Sequence, residues 1–144
     1  MATNALPSRP HSSPIRVLVA DDHDLFAETL VVLLAGDDRI EVVGRAADGA
    51  EAVRLAGRHR PDVVLMDVHM PGVDGIAATR ALGTVSPAVR VVMLSSSSAV
   101  EDVERARDAG AVGYLTKDAD AARIKAELMR AASVLCPLCG TRAA

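Results

Sequence analysis

Residues that can bind a cation or an anion follow four of the apolar runs in this sequence. Asp21 and Asp22 come directly after the first run, Asp67 directly after the third, Ser95 directly after the fourth, and Lys117 two residues after the fifth. Because open parallel sheets bind ligands beyond the carboxyl ends of their strands, we expect these side chains to converge on one edge. Carboxylates this close repel one another unless a cation or a proton lies among them. The pattern favours Mg²⁺, which binds carboxylate oxygens together with phosphate oxygens and water.

Each of these residues also has a simpler structural explanation. Asp22 or Asp24 could cap a helix that begins near residue 25, and Ser95 could cap a later helix. Asp67 could begin a turn, and Lys117 could be a solvated surface charge. The simpler explanation is favoured for each residue taken singly, but the placement of all five site candidates on one sheet edge favours a site.

Three other aspartates do not share that placement and are left out of the candidate site. Asp74 has the position of an N-cap for a helix that begins at Gly75. Asp48 precedes a glycine, and the pair predicts a turn. Asp62 follows a proline between two predicted elements.

The elements that would position these residues alternate regularly along the chain. Short apolar runs that do not alternate with polar residues predict strands buried on both faces, and the segments between them have helical spacing. This alternation predicts an α/β domain with a parallel sheet and helices on both faces. The predicted strands are residues 15–20, 40–46, 63–66, 89–94 and 112–115, and the predicted helices begin near 25 and cover 50–57, 76–82, 100–109 and a stretch that includes 124–135.

Composition excludes several classes of function. The sequence has 144 residues and a net charge of −3, so it offers no polycation that could neutralise nucleic-acid phosphates. Phe26 and Tyr114 are its two aromatic residues, too few for a surface that stacks bases. The longest apolar run has six residues, whereas about 20 are needed to span a bilayer. We therefore expect a cytoplasmic domain that binds neither membranes nor, directly, nucleic acid.

The two ends of the chain are expected to lie outside the domain. Residues 1–14 are rich in proline and serine and predict a disordered leader, while residues 133–144 predict a tail. Cys136 and Cys139 in this tail resemble half of a zinc ribbon. A structural zinc site needs four ligands, so an ordinary tail is favoured over a zinc site.

Four segments together resemble the receiver domain of bacterial two-component response regulators. They read VLVADDHDLF, VVLMDVHMPGVDG, VVMLSS and AGAVGYLTKD. More narrowly they are similar to the NarL/FixJ type, in which ADDH, LMD-x-x-MPG-x-DG and GA-x-GYL-x-KD recur at these spacings. The resemblance covers residues 15–132 and implies a doubly wound, five-stranded parallel sheet of order 2-1-3-4-5.

The resemblance also implies roles for the residues at the sheet edge. Asp67 would be the phosphoacceptor, while Asp21 and Asp22 would hold Mg²⁺ with help from the backbone carbonyl of His69. The side chains of His69 and His23 are interpreted as loop histidines, because their spacing is not that of a transition-metal site.

Three further residues receive roles in signalling from the same resemblance. Ser95 would sense the phosphoryl group, Lys117 would clamp it, and Tyr114 would be an aromatic switch. The implied donor is a sensor histidine kinase, and the implied result is a conformational change that controls a partner or a DNA-binding output. The domain would catalyse only its own phosphorylation and dephosphorylation, and whether it forms a homodimer stays open. Twelve residues follow residue 132, too few for a DNA-binding output domain.

Two other classes of function stay open at this point. A phosphohydrolase could also work through an aspartyl-phosphate, although such enzymes often have a second acid where this chain has His69. A constitutive binding module could carry a vestigial site and act through its last two helices. The intact acidic pair and Lys117 argue against that interpretation.

Overall fold

Over residues 13–134, five strands alternate with five helices, as the apolar periodicity predicts. A computed structural model describes residues 13–134. The elements are β1 Ile15–Ala20, α1 Asp24–Ala35, β2 Ile40–Ala46, α2 Gly49–His59, β3 Val63–Asp67, α3 Gly75–Val85, β4 Arg90–Ser95, α4 Val100–Ala109, β5 Gly113–Thr116 and α5 Ala121–Ala132.

The strands form one parallel sheet of order β2-β1-β3-β4-β5, which confirms the predicted topology. Side chains along a strand point alternately to opposite faces, so each strand contributes to two cores. Val17 and Val19 pack on the face that α1 and α5 cover. Leu18 and Ala20 pack on the face that α2, α3 and α4 cover. Burial on both faces explains why the runs of β1, β3 and β4 lack polar alternation.

The strands β3 and β4 each end one residue later than predicted, and in both the added residue belongs to the candidate site. β3 extends through Asp67 and β4 extends through Ser95, so these two residues end their strands rather than follow them. Both are held by sheet pairing, since Asp67 pairs with Leu94 and Ser95 pairs with Thr116.

Helix caps explain two of the aspartates that were left out of the candidate site. Asp74 accepts a hydrogen bond from the backbone N–H of Ala77, which confirms it as the N-cap of α3. Asp48 accepts one from the backbone N–H of Glu51 and caps α2, a role that the prediction of a simple turn did not include.

Over residues 13–134, none of the helices is long and apolar enough to cross a membrane. Most of the predicted leader, nearly all of the predicted tail and both cysteines lie outside the described residues.

Candidate functional site

Two buried carboxylates and one amine meet at the carboxyl edge of the sheet, as the sequence predicts. The side chains of Asp21 and Asp67 are only 2% and 4% exposed. The Nζ atom of Lys117 lies 2.8 Å from Asp21 Oδ2 and 3.4 Å from Asp67 Oδ2. Asp21 is fixed in place because its backbone N–H donates to the carbonyl of Ala46 on β2. The edge is therefore a preorganised cluster of charges.

Lys117 is held in this cluster by its backbone and by an aromatic ring. Its backbone N–H donates to the carbonyl of Ser95 at 2.7 Å, which continues the pairing of β5 with β4. Its ammonium lies 4.7 Å from the centre of the Phe26 ring on α1, a favourable cation–π distance. The side chain is 15% exposed, so Lys117 is not the solvated surface charge of the simpler explanation.

Ser95 and Tyr114 meet at the backbone of one loop residue, Ser97. The Oγ atom of the fully buried Ser95 accepts a hydrogen bond from the N–H of Ser97 at 3.0 Å. The hydroxyl of Tyr114 donates to the carbonyl of Ser97 at 2.8 Å. Ser95 does not cap the next helix, because the N-cap of α4 is Ala99. The two predicted switch residues are thus joined through one peptide segment.

The imidazole of His23 also reaches the acidic cluster, which sequence reasoning missed. Its Nδ1 atom lies 3.2 Å from Asp21 Oδ1, 3.4 Å from Asp22 Oδ1 and 4.0 Å from Asp67 Oδ2. His23 is the N-cap residue of α1, and its backbone N–H donates to Asp21 Oδ1. Neither Asp22 nor Asp24 caps this helix. The position of His23, directly after two acids and before a helix, was the available signal.

His69 faces the other way, toward α4. Its Nε2 atom lies 3.7 Å from Asp102 Oδ2 in the first turn of that helix. Its backbone N–H points at Asp67 Oδ1 at 3.4 Å. The side chain of His69 therefore bridges the β3–α3 loop and α4, while the role of its carbonyl stays a prediction.

The donor atoms of the cluster fit a hard divalent cation. Asp21 Oδ2, Asp22 Oδ1 and Asp67 Oδ2 are buried oxygens without a hydrogen bond. Each has one nitrogen of Lys117 or His23 at 2.8–3.4 Å as an ion-pair contact. Potential ligand atoms of Asp21, Asp22, His23 and Asp67 all lie within 4.8 Å of one another. Three carboxylates face one ammonium here, so an added cation would relieve their remaining repulsion and give these oxygens a second positive partner.

Burial and the neighbouring Asp21 carboxylate raise the pKa of Asp67 to about 6, although the Lys117 ammonium opposes the shift. A raised pKa means that the folded protein binds a proton more tightly than the unfolded chain does. Protonation of Asp67 therefore stabilises the fold. This stabilisation is complete below about pH 4 and is lost as the pH rises through about 6. Ionised Asp67 therefore destabilises the metal-free fold at neutral pH.

We therefore expect Asp67→Asn to stabilise the metal-free protein. In chelator at pH 7 the free energy of unfolding should rise by about 1–3 kcal/mol, since one pKa unit is worth about 1.4 kcal/mol. The gain should shrink as the pH falls through about 6 and should disappear well below pH 4, where the wild-type carboxyl is protonated in both states. Urea denaturation at several pH values measures this difference.

Asp37 provides a control of opposite sign. A side-chain hydrogen bond from Arg39 is the main cause that holds the pKa of Asp37 below its ordinary value. Asp37→Asn should therefore lower stability at pH 7, and the loss should disappear in acid. A stability gain for both variants would contradict the assignment of the effect to repulsion and burial at Asp67.

The sheet order and the charged edge define an open α/β domain, a class in which ligands bind beyond the carboxyl ends of the strands. The chain belongs to the response regulator receiver domain family, whose sequence profile matches residues 17–129. It is 44% identical over 110 residues to the response regulator GacA of Pseudomonas viridiflava, covering 76% of this chain and 51% of that protein.

Solved structures agree with this membership. The signal receiver domain of NarL from Mycobacterium tuberculosis is similar with a TM-score of 0.79 and 40% identity, covering 83% of this chain and 97% of that one. CheY in a CheX–CheY–BeF3–Mg²⁺ complex from Borrelia burgdorferi is similar with a TM-score of 0.76 and 28% identity, covering 82% and 89%. The chain spans about half the length of the curated relatives it matches.

Proposed function

We propose that this cytoplasmic receiver domain, residues 15–132, accepts a phosphoryl group on Asp67 from the phosphohistidine of a sensor histidine kinase. The observation that carries the proposal is the buried Asp67 carboxylate, which lies 3.4 Å from the Lys117 ammonium beside two further acids. A buried carboxylate beside a cation can attack phosphorus as a nucleophile and then retain the phosphoryl group as an aspartyl-phosphate.

The chain's own residues supply the chemistry of transfer. An Asp67 oxygen attacks phosphorus, the bond from phosphorus to the donor nitrogen breaks, and the imidazole leaves with the electron pair. Lys117 offsets negative charge on the transferred group from a position that the Ser95 backbone and Phe26 already hold. In the same site, water attacks phosphorus of the aspartyl-phosphate, the bond from phosphorus to the Asp67 oxygen breaks, and inorganic phosphate leaves. We propose no catalysis beyond these two reactions.

We assign Mg²⁺ to the acidic cluster, held by Asp21, Asp22, Asp67 and the backbone carbonyl of His69. When bound, it neutralises charge on the attacking and transferred oxygens. The three aspartate oxygens without a hydrogen bond support this assignment. The Borrelia CheY complex, which contains BeF3 and Mg²⁺, supports it by similarity.

The conformational response to phosphorylation would involve Ser95 and Tyr114. When the Ser95 hydroxyl turns to donate to a phosphoryl oxygen, its contact with the N–H of Ser97 is perturbed. The carbonyl of the same residue accepts from Tyr114, so movement of this loop alters the ring of Tyr114. A phosphoryl group therefore favours the state in which loop and ring have both moved. The changed surface controls a partner or a DNA-binding output.

Intact mass spectrometry tests the proposal. After incubation with Mg²⁺ and a small acyl phosphate, we expect one phosphoryl adduct per chain, and we expect chelator to suppress it. Borohydride reduction of the acyl phosphate followed by peptide mapping should place the modification at residue 67. An adduct at another residue, or one that forms equally well in chelator, would contradict the assigned site.

A further inference from the structure

The acidic cluster contains a nitrogen donor that the proposed Mg²⁺ chemistry does not use. His23 Nδ1 lies 3.2–3.4 Å from an oxygen of Asp21 and of Asp22 and 4.0 Å from an oxygen of Asp67. The inference that follows rests on the proposed function, because it concerns which cation the same site prefers.

The distances from His23 Nδ1 to the carboxylate oxygens are compatible with those between ligand atoms of one metal ion. Ligand atoms at about 2.1 Å from an octahedral ion are about 3.0 Å apart when adjacent and about 4.2 Å apart when opposite. The distances from His23 Nδ1 to the carboxylate oxygens lie between these two limits.

The Nδ1 atom of His23 also faces the charged centre of the cluster. Lys117 Nζ lies 3.3 Å from His23 Nδ1. The same Nζ atom contacts Asp21 Oδ2 and Asp67 Oδ2. Three potential ligand atoms from three residues thus surround one positive charge. Asp67 Oδ2 is a buried atom without a hydrogen bond, and the Lys117 ammonium is its ion-pair partner at 3.4 Å.

We propose that His23 Nδ1 is a ligand of the bound cation and shifts the preference of the site from Mg²⁺ toward first-row divalent transition ions. Carboxylate and carbonyl oxygens alone suit Mg²⁺, whereas imidazole suits transition ions such as Ni²⁺. One nitrogen among oxygen ligands stabilises the transition ion selectively. The sequence-based view of His23 as an ordinary loop histidine is replaced by this role.

Affinity ratios test the proposal without an activity assay. Dissociation constants for Ni²⁺ and Mg²⁺ are measured by calorimetry on the tag-free full chain, wild type beside His23→Gln. The control is His59→Gln, which removes an imidazole from the end of α2. We expect His23→Gln to weaken Ni²⁺ binding about tenfold or more, to change Mg²⁺ binding by less than about threefold, and His59→Gln to change neither.

Cys136 and Cys139 could bind Ni²⁺ by themselves, so every protein in this series also carries Cys136→Ser and Cys139→Ser. Pulsed electron paramagnetic resonance of bound Mn²⁺ gives a second measurement on the unmodified chain. Coupling of the manganese spin to an imidazole ¹⁴N nucleus is expected in wild type and should be absent in His23→Gln.

An unchanged ratio of Ni²⁺ to Mg²⁺ affinity in His23→Gln, or no ¹⁴N coupling in wild type, would overturn the role of His23. These results would leave the proposed function intact if Mg²⁺ still supports phosphorylation of Asp67. Failure of any divalent cation to bind would instead remove the basis of both proposals.

Discussion

Asp67→Asn will take up no detectable phosphoryl group from a donor that modifies the wild-type chain in the presence of Mg²⁺. The amide keeps the size and much of the hydrogen bonding of the carboxylate but is not a nucleophile toward phosphorus. We expect the rate of adduct formation to fall about a thousandfold or more, the scale seen when an enzyme loses its nucleophile. Time-resolved intact mass measures both proteins under the same conditions.

The matched control is Asp108→Asn, the same chemical change on the exposed surface of α4. It should be phosphorylated at the wild-type rate, since Asp108 lies away from the cluster. Asp67→Asn should also be at least as stable as wild type in chelator, which separates loss of the nucleophile from loss of the fold. Undiminished phosphorylation of Asp67→Asn would refute the phosphoacceptor assignment.

Gly75→Ala will lose both stability and phosphorylation. A Cβ atom at Gly75 would lie 1.9 Å from the carbonyl oxygen of Asp67 and 2.8 Å from its carbonyl carbon. The atoms in contact belong to the backbone, which cannot rotate away as a flexible side chain can. The start of α3 and the end of β3 must therefore move apart. We expect the free energy of unfolding to fall by about 2–4 kcal/mol.

The displaced backbone is that of the proposed nucleophile. A misplacement of about 1 Å can lower a rate about a hundredfold, so we expect phosphorylation of Gly75→Ala to slow by about 10–100-fold even where the protein remains folded. Urea denaturation and phosphorylation below the unfolding transition measure the two effects separately.

Gly83→Ala is the control in the same helix. No atom lies within 4 Å of a Cβ built at Gly83, and the residue is exposed. Alanine there should stabilise α3 by up to about 1 kcal/mol and leave phosphorylation unchanged. Equal behaviour of the two variants would show that helix propensity, rather than the contact with Asp67, determines the outcome at Gly75.

Periodicity was sufficient to predict the fold because the three central strands, β1, β3 and β4, are buried on both faces along nearly their whole length. Runs such as residues 15–20 and 40–46 have the bounds of β1 and β2 in the structure. At β3 and β4 the polar residue that seemed to stop the run pairs with the neighbouring strand, so the strands include Asp67 and Ser95. A polar residue ends a hydrophobic run in the sequence, but a strand ends where its backbone stops pairing with the neighbouring strand.

The parts of the site that sequence reasoning missed depend on side-chain direction. The placement of Asp21, Asp67 and Lys117 follows from strand ends alone, so topology was enough to predict it. The approach of His23 to the carboxylates depends on the N-terminal turn of α1, and that of Phe26 to Lys117 depends on how α1 packs. Spacing along a sequence carries no information on such rotations.

Tyr114 has a spectroscopic consequence. It is the only tyrosine in a sequence without tryptophan. Its hydroxyl is bound to the carbonyl of Ser97 in the loop after β4. Emission excited near the tyrosine absorption band therefore comes from one ring at one known place. The protein carries its own label for this loop, and stopped-flow fluorescence can time its movement without an attached dye.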